Sequence, residues 1–379
     1  MTEERKPFAI YAITKHGIEI AKTLLDSLPE SDLYVSRKLF DQAPEGALQL
    51  PLPMGPLLTE TFTQYDCHIH IISVGAVVRM ISKLLENKKV DPAVVCVDDA
   101  ARFAVCLLSG HVGRGNVFTQ RVAEILEAQP VVTTASDVRG TLTVDILGRD
   151  LGWTLDDMDR NVTRGCAAVV NQTPVLFVQE AGEPDWWPLD KDLPPGVEYA
   201  QTLEGVDAGA YEILLIASDR LLKETHSAHW GNSVIYRPRS LVLGVGCDKG
   251  TPVELVERGI RSLLEQEGLS IRSVRGLATI DKKKDEPAFR ALSARYDWPL
   301  VCYTPEELDA VPGIENPSEV VKKYVGTRSV AEAAALLSAG AETLLVAKQK
   351  YTEPEADRSM TLAVCRVPFP RRTREVAHV

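Results

Sequence analysis

The sequence predicts a multidomain α/β protein. Open, mostly parallel sheets with flanking helices are expected in an N-terminal domain (residues 1–140) and a C-terminal domain (residues 240–370), joined by a small α+β middle domain (residues 141–239). Three observations predict this. Val- and Ile-rich runs, several apolar on both faces, alternate with segments of helical periodicity, as in a parallel sheet covered by helices. Pro and Gly thicken between about residues 142 and 238, where strand-like runs shorten. The length of 379 residues suits two or three domains.

In the N-terminal domain the expected strands are Phe8–Thr14, Asp66–Ser73, Ala93–Asp98, Arg102–Leu108 and Pro130–Ala135. Helices are expected where apolar residues recur at helical spacing: Ile18, Ala21, Leu24, Leu25 and Leu28; Val77, Ile81, Leu84 and Leu85; Phe118, Val122, Ile125 and Leu126. The middle segment offers short strands at Val175–Gln179, Ile213–Ala217 and Ser233–Arg237. In the C-terminal domain Leu241–Val245 reads as a strand, and final strands are expected at Thr343–Ala347 and Met360–Arg366. Thr251-Pro252-x-Glu254 and Thr304-Pro305-x-Glu307 read as N-cap, N1 proline and capping-box glutamate. Ser329-x-x-Glu332 reads as a third capping box, without the proline. The tail from Pro370, with Arg371, Arg372 and Arg374, is expected to fray.

Composition narrows the function. Lys and Arg number 42 against 53 Asp and Glu, a net charge of −11, so nucleic-acid and membrane partners are not expected. A polyanionic small ligand is compatible with local clusters of cations. No apolar run approaches the ~18 residues of a membrane span. The apolar stretch Phe8–Ile13 is too short for a signal sequence, so a cytoplasmic location is expected. The seven cysteines include no C-x-x-C pair, which suits reduced thiols.

The most unusual stretch runs from Gly75 to Asn116. It contains Gly75-Ala-Val-Val-Arg79, Lys88-Lys89-Val-Asp91-Pro92, Val97-Asp98-Asp99 and Ser109-Gly110-His111-Val-Gly113-Arg114-Gly115-Asn116. These polar residues fall at successive strand ends, where open α/β sheets form their ligand crevice. Glycines let backbone approach a ligand, amides at a helix start suit an anion or oxyanion, and His111 is an acid–base candidate near neutral pH.

Gly244-x-Gly246-Cys-Asp-Lys249-Gly250 is one residue longer than a dinucleotide fingerprint and lacks the acidic residue for a ribose, so a generic anion site helped by Lys249 is the preferred reading. His68-x-His70 and His226-x-x-His229 lack a third ligand nearby, so no metal site is expected and a structural or surface role is preferred for each pair. Lys282-Lys283-Lys284-Asp285-Glu286 reads as a solvated loop, with anion contact as a second reading.

These motifs give the chain a resemblance to the cobalt-precorrin-5A hydrolase (CbiG) family of anaerobic cobalamin biosynthesis. It rests on the Gly75–Asn116 blocks, on Val132-Thr-Thr134-Ala-Ser-Asp137-Val-Arg139-Gly140 followed by Val144-Asp145, and on several C-terminal motifs. Those are Gly244-Val-Gly246-Cys-x-Lys249-Gly250-Thr251, Ala278-Thr-Ile-Asp281 followed by Asp285-Glu286-Pro287, Gly326-Thr-x-Ser329-Val-Ala-Glu332, and Ala347-Lys348-Gln-Lys350. One departure is notable: Arg114 stands where the family pattern has glycine, a position that strains an arginine if it needs positive φ.

The resemblance implies an enzyme that opens the ring A acetate δ-lactone of cobalt-precorrin-5A and releases acetaldehyde to give cobalt-precorrin-5B. No organic cofactor is implied, and the cobalt arrives in the substrate. The tetrapyrrole is the expected partner, while a homodimer and contacts with other cobalamin-pathway enzymes are left open. A non-catalytic corrinoid-binding scaffold is the alternative. Chemistry and motif position suggest His111 as general base, Asp98 or Asp99 as its orienter, and the Gly113–Asn116 amides as oxyanion donors. Arg79, Lys88 and Lys89 would hold peripheral carboxylates. Gly75, Ser109, Gly110, Gly113, Arg114, Gly115, Asn116, Thr134, Asp137, Gly246 and Lys249 complete the expected substrate contacts.

Overall fold

A computed structural model describes residues 5–157, 159–354 and 357–371; Arg372 and Arg374 of the tail lie outside the described residues. The chain divides into two compact units, Met1–Ile146 and Leu147–Val379.

The first unit holds one seven-stranded sheet, from β1 (Lys6–Ala12), β2 (Ser31–Ser36), β3 (Leu48–Leu50), β4 (Tyr65–Ile71), β5 (Ala93–Val97), β6 (Phe103–Leu108) and β7 (Gln129–Val131), in the order β3-β2-β1-β4-β5-β6-β7. Helices α1 (Lys15–Ser27) and α4 (Gly115–Leu126) cover one face; α2 (Gly55–Thr61) and α3 (Val74–Ile81) cover the other; α5 (Ala135–Arg139) follows β7. Because both faces are covered, β5 is buried throughout, which is why it reads as a continuous apolar run. The four N-terminal-half strands β1, β2, β3 and β4 run parallel with β5. In contrast, β6 pairs antiparallel to β5, with Val97 opposite Ala104 and Val94 opposite Leu108, and β7 runs parallel to β6. The gap between Val97 and Phe103 is the reason: it fits a tight turn but is far too short for a parallel crossover. The expected N-terminal strands are present, but the one expected at Pro130–Ala135 is cut to Gln129–Val131, with Ala135 already in α5, and β2, β3 and α2 were not foreseen. β3 has three residues, and β2 opens on Ser-Asp, so neither displays a usable period.

The second unit carries two sheets. The first comprises β8 (Thr154–Leu155), β9 (Val175–Gln179), β10 (Val197–Ala200), β11 (Ile213–Ala217) and β12 (Ser233–Arg237), in the order β10-β9-β11-β12-β8, with α6 (Val162–Asn171), α7 (Leu222–Thr225) and α8 (Ser227–Trp230). This segment was expected as α+β, yet its sheet is parallel except for the antiparallel two-residue edge strand β8. The second sheet comprises β13 (Leu241–Cys247), β14 (Val274–Ile280), β15 (Leu300–Tyr303), β16 (Val346–Thr352) and β17 (Ser359–Arg366), in the order β15-β14-β13-β17-β16. Helices α9 (Val253–Gln266) and α10 (Pro287–Tyr296) pack on one face, while α11 (Pro305–Asp309) and α13 (Ala331–Ala339) pack on the other; α12 (Glu319–Val325) lies between those two in sequence. Asp219, just after β11, accepts two 2.7 Å bonds from Arg366 of β17 and one of 2.7 Å from Ser240 Oγ. This buried charge-assisted joint ties the two sheets into one unit.

The capping signals divide. Thr304 forms the expected reciprocal box with Glu307. Thr251 does not, because its hydroxyl donates to the Asp248 carbonyl at 2.8 Å and α9 starts two residues later. Ser329 does not box with Glu332 either: the Glu332 carboxylate is fully buried and accepts from the Glu315, Asn316 and Lys348 amides and Asn316 Nδ2.

Candidate active site

The antiparallel β6 divides the residues expected to share one crevice in the first unit. Strands β1, β4 and β5 end on one edge of the sheet, beside Thr14, Gly75, Arg79, Asp98 and Asp99. β6 and β7 end on the opposite edge, where β5 begins. A five-residue strand separates the edges by roughly 15 Å.

Asp98 and Asp99 are therefore not the orienters of His111. Asp98 Oδ1 accepts from the Arg102 and Phe103 amides at 2.8 and 2.7 Å and builds the β5–β6 turn. Asp99 accepts from the Thr14 hydroxyl, and its Oδ2 lies 3.3 Å from His16 Nδ1. Arg79 on the same edge donates to its own helix, at 2.8 Å to the Gly75 carbonyl.

On the other edge the parallel pairing of β6 and β7 brings the loop Ser109–Asn116 against Thr134–Asp137. His111 Nε2 lies 2.8 Å from Asp137 Oδ2 and 3.0 Å from Ser136 Oγ. His111 Nδ1 lies 3.2 Å from Asp145 Oδ1, at ion-pair distance but without hydrogen-bond alignment. Asn116 Nδ2 donates to Thr134 Oγ1 at 2.6 Å and to Asp137 Oδ2 at 2.9 Å. The His111 and Asp145 side chains are 15% and 6% exposed, and Asp137 is 40% exposed, so the cluster has a closed back and an open front.

Two carboxylates on one imidazole set its charge. Asp145 raises the His111 pKa most, burial opposes, and Asp137 adds to the rise, so the protonated form is favoured beyond the usual histidine range. Burial works against the Asp145 carboxylate, but the His111 contact, the Lys88 charge and a backbone hydrogen bond together outweigh it and hold its pKa below the ordinary value. Lys88 thus belongs electrostatically to this edge, and the backbone amide of its neighbour Lys89 bonds Asn87 Oδ1 at 2.9 Å.

The loop glycines serve packing within the loop. A Cβ on Gly113 would meet Ser109 Cβ at 2.5 Å, one on Gly115 the Leu108 carbonyl at 2.6 Å, and one on Gly110 the Asn116 Oδ1 at 2.7 Å. Ser109 Oγ donates to the Asp91 carbonyl at 3.0 Å and pins the loop to the start of β5. Three of the four expected oxyanion amides are already committed: Arg114 to the His111 carbonyl, Gly115 to Ser109 and Asn116 to Gly110. Among the described residues this leaves only the Gly113 amide of that set. Arg114 has φ +62° and ψ +17°, so it occupies a left-handed conformation that suits glycine.

In the second unit the Gly244 and Gly246 positions are also packing positions. A Cβ on Gly244 would lie 1.8 Å from the Ala331 carbonyl, and one on Gly246 would lie 2.8 Å from Thr361 Oγ1. The Gly250 amide already holds an internal anion, Glu286 Oε1 at 2.9 Å, whose Oε2 pairs with Lys283 at 2.7 Å. Lys249 is exposed. His68 is a buried structural residue, bonded to Tyr11 and the Phe62 carbonyl, and His70 is buried and stacked on Tyr11 at 4.5 Å. His229 bonds the Val206 carbonyl at 2.9 Å.

Sequence reasoning gave no role to Ser136 or Asp145. Both stood inside the motif that follows β7, and an acidic residue reaching a loop histidine was the available signal.

Residues 56–137 match the family model described as Cobalamin synthesis G N-terminal, residues 142–238 the Cobalamin biosynthesis central region, and residues 241–365 the Cobalamin synthesis G C-terminus. The chain is 38% identical to "Cobalt-precorrin-5A hydrolase" of Priestia megaterium, over 97% of this chain and 96% of that protein. It is 30% identical to the protein of the same name from Salmonella typhimurium, over 89% and 94%. The solved structure of a cobalamin biosynthesis protein G homologue from Sulfolobus solfataricus aligns with 95% of this chain and 97% of that one, at 18% identity and a TM-score of 0.36. By its sequence likeness along nearly its whole length, the chain belongs to the cobalt-precorrin-5A hydrolase (CbiG) family.

Proposed function

We propose that this chain converts cobalt-precorrin-5A to cobalt-precorrin-5B, opening the ring A δ-lactone and releasing acetaldehyde. The observation that carries this reading is the end-to-end likeness to cobalt-precorrin-5A hydrolases. The site chemistry is compatible. Lactone opening is acyl transfer and needs a proton acceptor beside the carbonyl; carbon–carbon scission then needs proton removal from the released hydroxyl. His111 is the acid–base group for both steps, with Asp145 behind it and Asp137 at the open side. The conjugated macrocycle serves as electron sink for the second step. Lys88, Lys89 and Arg114 supply cations to peripheral carboxylates at this edge, and Gly75 and Arg79 belong to a separate edge. The cobalt is part of the substrate, and no organic cofactor is required. The reaction takes place in the cytoplasm.

The test is incubation of purified protein with fresh cobalt-precorrin-5A and no nucleotide. Acetaldehyde release is expected. Corrinoid binding without acetaldehyde would instead favour a scaffold, and a dinucleotide requirement would defeat the reading.

A further inference from the structure

The residue opposite Asp145 on the His111 ring is a hydroxyl. Ser136 Oγ lies 3.0 Å from Nε2, and Asp145 Oδ1 lies 3.2 Å from Nδ1. Ser136 is only 7% exposed and sits in the first turn of α5, and Asp145 is buried behind the ring. A hydroxyl on one nitrogen and a buried carboxylate on the other form the nucleophile–base–orienter order of acyl-transfer sites, which is identified by geometry rather than by chain position. The loose Asp145 alignment does not count against it, because such contacts tighten when substrate binds.

We infer that Ser136 is the nucleophile of the lactone-opening step, activated by His111 and Asp145. This deepens the proposed function and rests on it. Ser136 Oγ adds to the lactone carbonyl while its proton passes to His111 Nε2. The ring C–O bond then breaks, and the leaving alkoxide takes that proton. The product of this half is a Ser136 ester that still holds the entire substrate, because leaving group and acyl group are one molecule. Water, deprotonated by His111, then cleaves the ester, leaving a free carboxylate and regenerated Ser136. One water is consumed, and no oxidant or reductant enters.

Asp137 supplies a gate on this step. When His111 is protonated, Nε2 donates to Asp137 Oδ2, and Ser136 has no base. When His111 is neutral with its proton on Nδ1 towards Asp145, the Nε2 lone pair accepts from Ser136 and Asp137 loses the His111 donor. Asn116 Nδ2 holds Asp137 in either state. The lone pair that activates Ser136 is thus available only above the raised His111 pKa.

Two measurements test this. In acid-quenched single turnovers, intact-protein mass is expected to show enzyme plus whole substrate, located on Ser136. Independently of any corrinoid, a fluorophosphonate probe is expected to label Ser136 in the wild type and fail on Ser136→Ala and His111→Ala. Ser136→Ala is expected to lose roughly 10³-fold or more in turnover with its fold intact. Ser136→Ala within threefold of wild-type acetaldehyde release overturns the nucleophile while leaving the hydrolase reading in place. A large loss with neither adduct nor labelling also overturns it and leaves Ser136 as a positioning residue. Labelling of Ser136 in a protein that releases no acetaldehyde keeps the nucleophile and removes the hydrolase reading.

Discussion

Val94 of β5 faces Leu108 of β6 in antiparallel register, and this pairing places the His111 loop at the edge of the sheet where β5 begins. From it follow a single cluster of His111, Ser136, Asp137 and Asp145, and the separation of that cluster from Asp98 and Asp99.

His111→Ala is expected to fold normally and to lose about 10²–10⁴-fold in turnover, the range for a lost acid–base group. His111→Asn should be nearly as poor, since it cannot accept a proton. Single-turnover acetaldehyde release with parallel thermal melts checks this. Recovery of most of the rate in the asparagine variant, with a change mainly in KM, would reduce His111 to an orienting role.

The pH dependence has a defined sign. The folded-state pKa of His111 lies above its ordinary 6.5, so its ion pairs stabilise the fold fully below that value. That contribution is lost as pH rises through the raised pKa. Asp145 lies below its ordinary 3.8, so its contribution is present above that value and lost as pH falls through the depressed pKa. Activity needs the neutral imidazole and should rise with pH through a limb above 6.5. Asp145→Asn removes the largest raising contact and should move that limb to lower pH. An NMR titration of His111 that stays in place in this variant counts against the assignment.

Arg114→Gly should raise stability by about 0.5–1 kcal/mol, since it relieves a left-handed backbone of roughly 1–2 kcal/mol and gives back part of that in unfolded-chain entropy. Arg114→Ala keeps the strain and should bring no such gain. Urea midpoints at constant slope distinguish the two.

Lys88→Glu should weaken substrate binding at low ionic strength, and added salt should weaken wild-type binding as well. Lys88 bears on Asp145 through its charge, so the variant should also alter the His111 titration. Unchanged affinity at low salt would make Lys88 a solvated charge on the turn before β5.

Gly244→Ala should destabilise the second unit by more than about 2 kcal/mol, because a Cβ cannot share space with the Ala331 carbonyl. Thermal unfolding checks it. Normal stability with altered anion affinity would restore the ligand-loop reading of that glycine.

Much of the fold was legible in the sequence. Buried strands such as Val175–Gln179 and Ile213–Ala217 are continuous apolar runs, so their bounds coincide with β9 and β11. β16 was legible only in part, because it is an edge strand whose polar Lys348, Gln349 and Lys350 give no apolar signal. The site was half legible. His111, Asn116, Thr134 and Asp137 were all marked, but their grouping with Asp98 assumed that every strand ended on one edge. Strand direction is carried by loop length, and five residues between Val97 and Phe103 were the available sign. Glu332 misled for a different reason: a capping box and a buried carboxylate clasp share the same residue types, and only burial separates them.

The turn at Asp98–Arg102 also bears on how the protein assembles. Strands β5 and β6 are joined locally, and hairpins of this kind close in about 1–10 μs, while the parallel pairs β1–β4 and β4–β5 must first bring distant segments together. The strand that leads into the His111 loop can therefore take its direction early in the collapse, before the central crossovers are complete. Asp145, which lies beyond α5, joins His111 only when that later segment has docked. Amide exchange pulsed during refolding should protect β6 ahead of β1, so that the scaffold of the histidine loop forms before its buried carboxylate arrives.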